Sequence, residues 1–104
     1  MMTVDEQMAF TAAVAKALLT HRKDVGITNV RQNYKGTGSQ RARRQLWISF
    51  DDGRAVDVWL DADGFTVGGV TQLRMAGRFD YGDRTPLDVA ADVAAKLKAL
   101  KAAQ

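Results

Sequence analysis

Apolar residues recur along this chain with two different periods, and the change of period divides it into helix, strands and helix. Near the start, Phe10, Val14 and Leu18 return every four residues, with Ala17 and Leu19 widening the stripe. That spacing predicts an amphipathic helix over about residues 3–23. Thr3 and Glu6 ahead of it have the spacing of a capping box, Arg22 and Lys23 bring cations to its last turn, and Gly26 supplies a stop.

From Leu46 the period falls to two. Leu46, Ile48 and Phe50 alternate with polar or aromatic neighbours, as do Val56, Val58 and Leu60, around Asp51-Asp52-Gly53. This is the pattern of a β-hairpin. A three-residue loop with Gly53 left-handed pairs Leu46 with Val58 and Ile48 with Val56, whereas a two-residue loop would set Ile48 against Asp57. The first register places Arg43, Gln45, Trp47 and Ser49 on the opposite face, together with Asp61, Trp59, Asp57 and Ala55. Both tryptophans then share one face.

Residues 27–34 read as a preceding strand, in which Val30 and Tyr34 alternate with Arg31 and Asn33 and the polar pair joins the tryptophan side. Phe65-Thr66-Val67 reads as a short strand after the turn Asp61-Ala62-Asp63-Gly64, interrupted by Gly68-Gly69. Leu73, Met75 and Phe79 allow one further strand.

A second helix starts at Thr85-Pro86, a capping side chain before a proline at the first helical position, with Asp88 as a first-turn acid. Its stripe is Val89, Val93, Leu97 and Leu100, its expected end is about Ala102, and Asp92 and Lys96 stand one turn apart in the favourable order. The whole is an α+β chain: N-terminal helix, antiparallel meander of three to five strands, C-terminal helix. Both helices are expected on one face of the sheet.

Composition adds boundaries to this picture. With 104 residues, 46% hydrophobic and 26% charged, the chain fits one globular domain spanning 1–104. It has no cysteine, which excludes disulfides and thiolate metal sites. Acids occupy the N-terminal positions where a secretory leader has cations, and the most apolar stretch is broken by Lys16, well short of the roughly 20 residues of a membrane span. A cytoplasmic location without membrane contact is expected. Net charge is only +3, but residues 25–50 carry five bases and no acid. The excess cation lies in the middle of the chain.

Candidate catalytic chemistry is thin. His21 is the only histidine, so neither a paired-histidine metal site nor a histidine-based triad is supported. Asp51, Asp52, Asp61 and Asp63 all fall in glycine-containing turns, where aspartate serves the backbone. The segment around Asp61 departs from a calcium loop, with Trp59 and Val70 at its first and last ligand positions. Gly36-Thr37-Gly38-Ser39 lacks the lysine and following helix of a phosphate loop. No metal, no cofactor and no enzymatic activity are therefore expected.

What remains is a binding surface. Arg31, Lys35, Arg41, Arg43 and Arg44 lie on one strand-loop-strand unit without an intervening carboxylate, and Trp47 and Trp59 share a face with Arg31 and Arg43. Cations interleaved with aromatics suit phosphates and stacked bases. The first reading is a non-enzymatic module whose basic hairpin meets an anionic partner, nucleic acid or a ribonucleoprotein first and an acidic protein surface otherwise. The alternative is a protein-binding inhibitor or adaptor using the Trp47/Trp59 face, of the kind phage and mobile elements encode, anti-CRISPR proteins among them. Homodimerisation through a strand edge or the tryptophan face is compatible with either. The order helix, strands, helix resembles double-stranded-RNA-binding domains in topology. The second helix here begins Thr85-Pro86-Leu87-Asp88, without their lysine cluster, and no family membership is assigned.

Overall fold

The computed structural model describes residues 4–32, 45–61, 64–69 and 84–103. Helix α1 spans Val4–Leu18, and a 3-10 turn at Leu19–His21 leads into the single-turn α2 at Arg22–Val25. Strands β1 (Ile27–Gln32), β2 (Gln45–Phe50), β3 (Ala55–Asp61) and β4 (Gly64–Gly69) follow, and α3 spans Pro86–Ala102. The strands form one antiparallel sheet in the order β1-β2-β3-β4. The helix-meander-helix architecture predicted by the periodicity is the one observed. Thr3 and the further strand expected near Leu73 lie outside the described residues.

The first helical stretch is interrupted where one continuous helix was expected. After Leu18 the chain tightens into the 3-10 turn, the Thr20 hydroxyl donates to the Ala17 carbonyl at 2.6 Å, and His21 takes φ −101°, ψ 6°. The twist turns Leu19 away from the core, and it is 41% exposed rather than part of the buried stripe. Helical structure then resumes for one turn and stops at Gly26, whose φ of 83° is open to glycine at little cost. A side chain at this position would also collide: its Cβ would stand 2.5 Å from Lys101 Nζ and within 2.9 Å of both Asp51 carboxylate oxygens.

That corner ties the C-terminal helix to α2 and to the loop after β2. Lys101, in the last turn of α3, donates to the Val25 carbonyl at 3.1 Å and to Asp51 at 2.8 Å, while its ammonium lies 5.3 Å from the centre of the Phe50 ring. Close by, Lys98 pairs with Asp24 at 2.8 Å. The first pair anchors the C-terminal helix to the loop between β2 and β3, the second to α2. At its other end, α3 is closed by a reciprocal capping box: Thr85 accepts from the Asp88 amide, and the Asp88 carboxylate accepts from the Thr85 amide. Asp92 pairs with Arg84, not with Lys96 one turn on.

The central hairpin has the predicted register, with Leu46 opposite Val58 and Ile48 opposite Val56 across a three-residue loop whose Gly53 has φ 86°. In that loop Asp52 does turn chemistry, accepting from the Arg54 amide at 3.0 Å and from its Nε at 2.8 Å. The Arg54 guanidinium holds the Asp52 carboxyl below the usual carboxylate range. On the other side of β2, a bulge between Ile27 and Asn29 lets both Ile27 and Val30 face the core, although they are three residues apart.

Gly68-Gly69 does not interrupt β4, contrary to the reading of the sequence. Gly69 pairs with Val56 and Gly68 with Asp57, so the ladder continues through both. Glycine weakens a strand, but the backbone bonds to β3 are available whatever the side chain.

The core lies on one side of this sheet. Leu46, Ile48, Phe50, Val56, Val58, Leu60, Phe65 and Val67 are all buried against Val14 and Leu18 of α1 and against Val89, Val93, Leu97 and Leu100 of α3. Both helices therefore pack on the same face, as the apolar alternation required. Among the described residues, no helix is long and apolar enough to cross a membrane.

Candidate functional site

Packing both helices on one side leaves the other side of the sheet to residues of opposite parity. Reading across the strands, one row carries Asn29, Ser49 and Ala55, the next Arg31, Trp47, Asp57 and Gly68, and the third Gln45, Trp59 and Thr66. Trp47 and Trp59 thus stand on one face, in adjacent rows of neighbouring strands, at the diagonal spacing that aromatic side chains can bridge. Both are half-buried, whereas every core residue on the reverse face of β2 and β3 is almost wholly buried.

Arg31 is directly opposite Trp47 on β1 and is exposed. None of the ion pairs among the described residues involves it. It is available to an anion approaching this face. Lys35, Arg41, Arg43 and Arg44 lie outside the described residues, so of the seven candidate residues the structure brings together Arg31, Trp47 and Trp59.

The residue that sequence reasoning undervalued is Asp57. It appeared there only as one residue of the tryptophan face. In the fold it sits in the same row as Arg31 and Trp47, directly opposite Trp47 on one side and Gly68 on the other. Its Oδ1 is buried without a hydrogen-bond partner, the one such side-chain atom found among the described residues. Burial pushes its carboxyl above the usual carboxylate range, and a hydrogen bond from the Gln45 side chain opposes that shift only in part. A sequence signal for it existed: an acid alternating with a tryptophan inside an otherwise apolar strand.

The described residues hold no cluster of three or more potential metal ligands. His21 is half-buried at the junction of the 3-10 turn and α2, away from the sheet face. What the face does offer is indole surface, a cation and a carboxylate acceptor within one cross-strand row and its neighbour. No family model, no curated protein and no solved structure matches this chain.

Proposed function

We propose that this protein is a non-enzymatic binding module whose outer sheet face and adjoining basic segment take single-stranded nucleic acid, alone or within a ribonucleoprotein. The observation that carries the reading is the placement of Trp47 and Trp59 on the sheet face opposite both helices, with exposed Arg31 beside Trp47. Indole rings on a sheet stack unpaired bases, and stacking tolerates sequence because every base has a π-face. The acid-free run from Val25 to Phe50, with Arg31, Lys35, Arg41, Arg43 and Arg44, supplies cations for the phosphates.

The salt dependence of binding tests this reading. A single strand that neutralises Z cations loses affinity with a log–log slope of about −0.7Z, so engagement of most of the five gives a slope of about −3. Titration of a labelled oligonucleotide from low to high salt reads that slope. A slope near zero removes phosphate contacts from the account.

A protein partner is the second reading, and Asp57 favours it. A carboxylate on the binding face repels phosphates and suits a cationic side chain of an acceptor protein, in which case the tryptophans are interface anchors. Capture of a protein from nuclease-treated lysate, lost on replacing Trp47, is its signature.

A further inference from the structure

Asp57 places a carboxylate on the sheet face proposed to meet phosphates, in the middle of a row with Trp47 on one side and Gly68 on the other. Its Oδ1 is covered by the chain and has no hydrogen-bond partner, so that oxygen is closed to direct contact with a ligand. Charge acts without contact. Arg31 stands in the same row on β1, two strand spacings or about 10 Å from Asp57, which is about one Debye length at 0.1 M salt. An ionised Asp57 therefore offsets part of the attraction that Arg31 exerts on a phosphate, and a protonated one does not.

The groups around Asp57 leave it free to change charge. From β2 it is faced by Trp47 and, diagonally, by Gln45, whose side chain donates a hydrogen bond to it; from β4 by Gly68; along its own strand by Ala55 and Trp59. None of these is charged, and both helices pack on the reverse face. Arg31 is the cation of its row, and Asp61 is the next acid along β3. None of the ion pairs among the described residues involves Asp57. Burial without a paired cation disfavours the ionised form, which is why the carboxyl titrates above the usual carboxylate range.

We propose that Asp57 is a proton-operated brake on the sheet face: ionised, it weakens the hold on an anionic strand, and protonated, it frees Arg31 to act on the phosphates. The brake rests on the reading of this face as a single-strand platform and adds regulation to it. Stability shifts in the same direction. The folded protein holds the Asp57 proton more tightly than the unfolded chain does, so this stabilisation is complete below the unfolded pKa and is lost as the pH rises through the folded one.

The test follows both consequences between about pH 7.5 and about pH 5 at constant ionic strength. The probe is a labelled oligouridylate without a terminal phosphate, whose bases exchange no proton in that interval. By anisotropy, the unaltered protein is expected to gain about fivefold more affinity on acidification than Asp57→Asn does, the effect of removing one charge about 10 Å from a phosphate. Groups common to both proteins, His21 among them, cancel in that ratio. Melting curves read the titration itself: the melting temperature of Asp57→Asn minus that of the unaltered protein is expected to fall as the pH falls. Asp57→Ser serves as a second neutral variant. An equal gain in affinity by variant and unaltered protein overturns the brake and leaves the platform in place, as does a melting difference that is constant with pH. Binding by neither protein at any pH removes the platform and the brake together.

Discussion

Reversing Arg41, Arg43 and Arg44 together to glutamate is expected to weaken binding of a single-stranded oligonucleotide by about a thousandfold at low salt, with little change in melting temperature. Each reversal removes two units of charge, so the net charge moves from +3 to −3 and the basic stretch becomes mixed in sign. The phosphate term dominates nucleic-acid affinity when bases are held mainly by stacking, so losing three contacts and adding three repulsions acts on the largest contribution. Anisotropy titrations of both proteins in the same buffer check the first half and thermal unfolding the second. Retained affinity, within about fivefold of the unaltered protein, excludes the basic segment as the phosphate-binding element.

The largest effect on stability is expected at Leu46→Ala. Leu46 is fully buried on β2, between β1 and β3, and its side chain meets the helices through the shared core. Truncation there removes buried methyl groups and leaves a cavity that a sheet flanked by paired strands closes only in part, for a loss of about 3 kcal/mol. In a chain of this size that lowers the melting temperature by roughly 15 °C. The matched control is Leu87→Ala in the first turn of α3, where the side chain is 60% exposed and the change should be within about 0.5 kcal/mol. Chemical denaturation of the two variants gives both numbers. Similar losses would mean that the core is not centred on the hairpin.

The elements that sequence alone revealed are those fixed by local pattern. The hairpin register followed from strict alternation plus the one glycine able to sit at φ 86°, because any other loop length turned apolar residues to the wrong face. The start of α3 followed from Thr85-Pro86, although the return bond from Asp88 that completes the box was not anticipated. Where tertiary contacts decide, the pattern fell short. Gly68-Gly69 continue a strand because β3 offers them backbone partners, Leu19 leaves the stripe because the helix tightens, and Asp92 finds Arg84 from outside the helix. Ile27 and Val30 share the core through a bulge that period-two reasoning cannot see.

The candidate site was legible to a similar extent. Alternation alone put Trp47, Trp59 and Arg31 on one face, and the register across three strands confirmed that placement. Asp57 was missed because its meaning depends on burial, which a one-dimensional pattern does not carry. Its orphaned oxygen becomes visible only when the neighbouring strands are assembled around it.

The most direct test of the account uses the two tryptophans themselves, since the chain has no others and both lie on the proposed face. Their emission is followed while a single-stranded oligonucleotide is added at low salt, with collisional quenching measured at each point. Stacking predicts saturable loss of emission and protection from the quencher, both reversed by salt. Unchanged emission and quenching in the folded protein would contradict it, as would protection that depends on protein concentration and not on the oligonucleotide.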